Sequence, residues 1–215
     1  MPHLPSFPHV SKSEFGGACG NLAARYAGQG GLQTDWTSVD VVQHDGDSYL
    51  KIEKDLHLED HDTTGGRLDV EVDEDELRED DQEALIPPPF LKATIEFDIM
   101  LSPIYQVPVL YFSIRDPRCR HPPTMATLYH NIIHPQLKAQ AENVGVIGGI
   151  SITDHPATNS PVFFIHPCQT AAVLEASVGA KDITPIEYLM LFIGAIGSYV
   201  GLIVPLRIVQ DNVRA

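Results

Sequence analysis

Apolar positions along the chain fall into two rhythms. After Ser11-Lys12-Ser13-Glu14, which has the form of a capping box, Phe15, Cys19, Leu22 and Tyr26 recur at helical spacing. That pattern predicts an amphipathic first helix despite Gly16 and Gly17. Ahead of it, residues 1–10 hold three prolines and read as a flexible N-terminal tail. The rhythm then shortens to two. Trp36, Val39 and Val42 open a strand, and Ser48–Glu53, Ala93–Ile99 and Val107–Ile114 alternate as further ones, with Pro108 tolerated near a strand start or on an edge. Short connections between consecutive strands predict antiparallel pairing.

Two apolar runs close the sequence. Val162-Phe163-Phe164-Ile165 is short, aromatic and β-branched, and reads as a buried strand. It stops at His166-Pro167-Cys168. Beyond it, Ala171, Ala172, Leu174, Glu175 and Ala176 favour helix, with Gly179 as a stop. From Tyr188 to Leu206 no residue is charged, which reaches the lower end of a membrane span. Gly194, Gly197, Ser198, Gly201 and Pro205 interrupt it, so the reading is a buried helix capped by Thr184, with Pro185 at its first position. It runs to about Val200 and is followed by an extended Gly201–Val204 piece. These elements predict an α+β fold: an antiparallel sheet of about four strands flanked by one N-terminal and two C-terminal helices, in a single domain over residues 11–215.

Charge changes this picture at one place. Of the 29 Asp and Glu residues, 15 lie between Glu53 and Glu83, with only 3 of the 14 Lys and Arg residues. Most of the formal net charge of −15 therefore belongs to one segment without aromatics, at about residues 55–85, which reads as a disordered acidic insertion. Its Asp73 and Asp75 lack the glycine and closing glutamate of a calcium loop. No basic stripe exists, which argues against nucleic acid.

Cys19, Cys119 and Cys168 are an odd number without a close pair. With no secretory leader pattern, this predicts free thiols in a reducing compartment, the cytoplasm. Cys19 belongs to the first helix's apolar stripe. Cys168, at a strand end and a helix start, is the candidate nucleophile, because free N–H groups and the positive end of the helix dipole stabilise a thiolate. His-Pro pairs at His121, His134, His155 and His166 each fix the direction of an imidazole, and His155 and His166 are placed to activate the thiol or orient an amine. Cys119, His121, His166 and Cys168 have poor spacing for zinc, so no metal or cofactor is expected. Phosphatase chemistry needs glycines and an arginine after the cysteine, and a dithiol oxidoreductase needs Cys-x-x-Cys; both are missing. What remains is a single thiolate in acyl or thioester transfer, or a core thiol.

Tyr105-Gln106-Val107-Pro108-Val109-Leu110-Tyr111-Phe112, then His155-Pro156, then Pro161 through Thr170 with its His166-Pro167-Cys168, resembles the autophagy-related protein ten family of ubiquitin-conjugating-like enzymes. The likeness in order and spacing covers roughly residues 11–204, with the acidic segment as an insertion. It implies a ubiquitin-conjugating-enzyme-like core and a transferase whose Cys168 takes autophagy-related protein twelve as a thioester from the activating enzyme, autophagy-related protein seven. The modifier then passes to a lysine of autophagy-related protein five. Ubiquitin-conjugating enzymes proper carry a His-Pro-Asn string upstream of the cysteine, and this chain has none. The oxyanion or amine-orienting group is thus open among Thr153, His155, Asn159, His166 and Thr170, and Tyr105 is the candidate contact for a partner. The contrasting reading is a non-catalytic adaptor that binds through its sheet edge and has no need of Cys168.

Overall fold

The computed structural model describes residues 3–29, 35–56, 92–133, 149–178 and 182–210. The acidic segment, His134 and Gly179 lie outside them. Helix α1 (Lys12–Gly28) leads into a meander of β1 (Trp36–His44), β2 (Asp47–Asp55), β3 (Thr94–Leu101) and β4 (Pro108–Arg115). Next come a short helix α2 (Met125–Thr127) running into a π turn (Leu128–Ile132), then the hairpin β5 (Ile150–Asp154) and β6 (Pro161–Ile165). A 3₁₀ turn (Pro167–Gln169), α3 (Thr170–Val178), α4 (Pro185–Ala195), a second 3₁₀ turn (Gly197–Val200) and α5 (Leu206–Gln210) complete the order.

All neighbours are antiparallel in the order β1-β2-β3-β4-β6-β5. The four-stranded meander read from the sequence is therefore extended to six strands by a hairpin, with β6 inside and β5 on the edge. Edge strand β5 gave little periodic signal because most of its five residues face solvent. Between β1 and β2, Asp45 and Gly46 both adopt positive φ, 49° and 79°, as a two-residue hairpin turn demands.

Register builds the core. One row runs Val39, Ile52, Phe97, Phe112, Phe163 across five strands, and the next runs Val41, Leu50, Ile99, Leu110, Ile165. Phe112 stacks on Phe163 at 5.3 Å. On this face lie α1, which buries Phe15, Cys19 and Leu22, and α4, which buries Leu189, Phe192 and Ile193 against it. Both helices begin with capping boxes: Ser11 with Glu14, as the sequence predicts, and Thr184 with Glu187, where the sequence marked Thr184 as the cap and Pro185 as the first residue.

The N-terminal segment is not loose where it is described. Leu4 and Val10 are buried, the Leu4 N–H donates to Ile183 O at 2.9 Å, and Tyr188 Oη donates to Pro8 O at 2.8 Å. Proline content signals a lack of regular structure, but these contacts reach 180 positions along the chain and leave no local signature. Near the C-terminus, Gly201 takes a left-handed φ of 78° and ends the second 3₁₀ turn. A side chain at Gly197 would come within 3.0 Å of Leu202 O, so the apolar run must turn there. Among the described residues no helix is long and apolar enough to cross a membrane.

Candidate active site

His166-Pro167 both ends β6 and starts the next turn. Proline biases its predecessor to extended backbone, and His166 has φ −64° and ψ 129°. Pro167 then occupies the first helical position, where its missing N–H costs nothing. Cys168 follows on the 3₁₀ turn that feeds α3, exposed to solvent. Its N–H donates to His166 Nδ1 at 3.2 Å, so the imidazole caps the turn and carries its ring proton on Nε2.

The imidazole is itself held. The His166 backbone N–H donates to Gly149 O at 2.9 Å, and the ring stands edge-on to Tyr105 at 5.8 Å and to Phe164 at 5.9 Å. Tyr105 sits in the β3–β4 connection, 41% exposed, with its N–H donating to Ser102 Oγ. Gln106 beside it takes a left-handed φ of 53°. Thr170, buried at the start of α3, shares a small pocket with Cys168, Gln169, Gly149, Ile165 and Ile196.

Thr153, His155 and Asn159 lie elsewhere. They belong to the tip of the β5–β6 hairpin, and Cys168 lies beyond the other end of β6. Five residues of strand, about 16 Å, separate the two ends. His155 is almost fully buried, and its Nδ1 accepts the N–H groups of Ala157 (3.1 Å) and Thr158 (3.3 Å), so it shapes the turn. Asn159, at φ 54°, supplies the left-handed position that asparagine tolerates. Sequence proximity to the cysteine suggested otherwise because the direction of the hairpin is decided only by pairing.

The three thiols differ. Cys19 is sealed under α1, and burial pushes its pKa up to about 12. Cys119 is exposed but sits on a left-handed turn, φ 51°, with no helix opening behind it. Among the described residues no three His, Cys, Asp or Glu side chains converge to hold a metal. The residues that sequence reasoning missed are Tyr111 and Phe164. Their rings continue the row Tyr105, His166, Phe164, Tyr111, His155, Tyr49 across the open sheet face, with centroids 5.4–6.0 Å apart. The signal was an aromatic at outward-facing strand positions, where alternation calls for polar residues.

Residues 14–207 match the active-site domain of autophagocytosis-associated proteins. The chain belongs to that family. It is 30% identical over 232 residues to the ubiquitin-like-conjugating enzyme ATG10 of Gibberella zeae, covering 94% of this chain and 97% of that one. The human enzyme of the same name is 32% identical over 117 residues, about half of each chain, and the Dictyostelium discoideum one 24% over 127. Among solved structures, a crystal structure of the autophagic E2 Atg10 aligns over 90% of the chain with 15% identity and a TM-score of 0.43. As a member of this family the chain is a ubiquitin-like-protein conjugating transferase of autophagy.

Proposed function

We propose that Cys168 carries the C-terminal glycine of a ubiquitin-like modifier as a thioester and delivers it to a lysine amine. The observation that carries this reading is the placement of the thiols: of the three, only Cys168 is both solvent-exposed and set on a turn that opens a helix. Loading exchanges one thioester for another: the Cys168 thiolate attacks the acyl carbon, and the activating enzyme's thiol leaves. In transfer the lysine nitrogen attacks that carbon, the C–S bond breaks, the thiolate is regenerated and the amine gives up a proton. The thioester keeps the acyl group activated, so the protein need only position the amine and supply donors for the oxyanion.

His166 and Thr170 are the orienting candidates that this reading retains, because they flank Cys168 while Thr153, His155 and Asn159 stand at the far hairpin tip. Tyr105, half exposed beside His166, is our candidate contact for the modifier's tail. Family membership and the sequence resemblance support autophagy-related protein twelve as the modifier, protein seven as its activating enzyme and protein five as acceptor, in a reducing cytoplasm that keeps the thiol free. Ester chemistry tests the assignment. Cys168→Ser, incubated with modifier, activating enzyme and ATP, should either fail to charge or accumulate slowly an adduct that survives added thiol, because an oxygen ester does not exchange with thiols. A thiol-labile adduct on Cys168→Ser, of wild-type amount, would place the thioester on another cysteine.

A further inference from the structure

The open face of the sheet holds a cleft that the cysteine does not use. At the far end of the aromatic row, His121 and Pro123 on one side and His155, Thr158 and Ser160 of the hairpin tip on the other line a cleft of about 300 Å³ over β2, β3 and β4. Pairing of charges inside is incomplete. Glu96, nine-tenths buried, is held by Lys51 Nζ at 2.8 Å and by the Arg115 guanidinium. Asp98, opposite Lys51 in the register, has no Lys or Arg nitrogen within 4 Å among the described residues, and its Oδ1 has no hydrogen-bond partner.

Histidine does not make up the deficit. His155 Nδ1 accepts two backbone N–H groups of the turn, which leaves Nε2 as its ring nitrogen nearest Asp98. That Nε2 lies 3.2 Å from Asp98 Oδ2 yet too far out of line to hydrogen-bond, in a side chain only 2% exposed. His121, whose Nδ1 meets the Asn131 amide nitrogen at 2.9 Å, likewise has a buried Nε2 without a hydrogen-bond partner. The Tyr49 phenol is pushed above its usual pKa by burial first and by Asp98 next, with Lys51 opposing.

Asp98 keeps 13% of its side chain exposed, and a cation meeting that part offsets the cost of a carboxylate whose inner oxygen lacks a hydrogen bond. The volume suits one side chain. Tyr49, Ser113, Thr158 and Ser160 line the same cleft and bring an aromatic ring and three hydroxyl groups to it. A metal ion is a poor fit, since no three ligating side chains converge among the described residues. We propose that this cleft receives a lysine or arginine side chain of a partner protein, with Asp98 as its anchor.

The claim is independent of Cys168, and so is its test. The full chain is titrated with Nα-acetyl-arginine amide and Nα-acetyl-lysine amide, and with Nα-acetyl-norleucine amide as the uncharged match, while NMR follows the His121 and His155 imidazole resonances. Both cations should give saturable shifts and norleucine none. Asp98→Asn should weaken the cations about tenfold or more, and Cys168→Ser should leave them unchanged. Equal shifts from norleucine, no saturation, or full affinity in a folded Asp98→Asn would overturn the proposal. The comparison with norleucine decides it in the wild-type chain even should Asp98→Asn not fold. Tighter binding of free guanidinium ion than of the blocked arginine would assign the cleft to a small cation and overturn the side-chain reading.

Discussion

Two histidines, each followed by proline, do different work because of what their Nδ1 atoms accept. At His166 the acceptor role is local and exposed: one N–H, that of Cys168, in the turn that presents the thiol. His166→Ala should therefore slow modifier transfer about tenfold while costing at most about 1 kcal/mol of stability, the scale of an exposed cap. Single-turnover transfer alongside thermal unfolding checks both halves. At His155 the acceptor role is buried and serves two N–H groups. His155→Ala should cost about 3 kcal/mol, since it removes the acceptor of two turn N–H groups and opens a void among Tyr49 and Tyr111. Urea unfolding should show this as a lowered midpoint at unchanged slope. The sequence marks both as directed imidazoles; only the pairing of β5 with β6 separates their roles.

Local signals carried the helices. The α1 capping box was legible as Ser11 three residues before Glu14, and at α4 the sequence marked Thr184 as the cap with Pro185 after it; the structure shows a reciprocal box at both, the second through Glu187. At α4 the Thr184 backbone N–H, and then its hydroxyl, hold the Glu187 carboxyl below its ordinary value. A depressed folded pKa gives stability that is present above the unfolded value, about 4.5, and is lost as pH falls through the folded one. Melting temperature should drop over that acidic window, and Glu187→Gln should flatten part of the drop without removing the cap. Deeper in the same helix, Leu189→Asp or Phe192→Asp should unfold the protein, because each buries an unpaired charge in the core. Native near-ultraviolet circular dichroism in either variant would contradict that packing. Strand β5 and the seated N-terminal segment were not legible, since one is a solvent-facing edge and the other is fixed by contacts to Ile183 and Tyr188.

For the whole molecule, the sheet separates two chemistries: the thiol stands at the end of β6, and the cleft beside Asp98 lies a strand length away on the open face. The sequence made the first legible, because a strand, a proline and a helix start meet within a few residues. It hid the second, because Asp98, His121 and His155 come from three separate stretches. Residues 59–83 offer almost no apolar area to a core, so their deletion should leave unfolding cooperative and the melting temperature nearly unchanged. The central claim is that Cys168 is the acyl carrier. Its most direct measurement is the rate at which modifier becomes attached to its acceptor, with activating enzyme and ATP, followed on non-reducing gels for Cys168→Ala, Cys19→Ser and Cys119→Ser. The account predicts no carrier adduct and no product for Cys168→Ala in a folded protein, with a thiol-labile adduct retained in the other two. Wild-type conjugation by Cys168→Ala would contradict it.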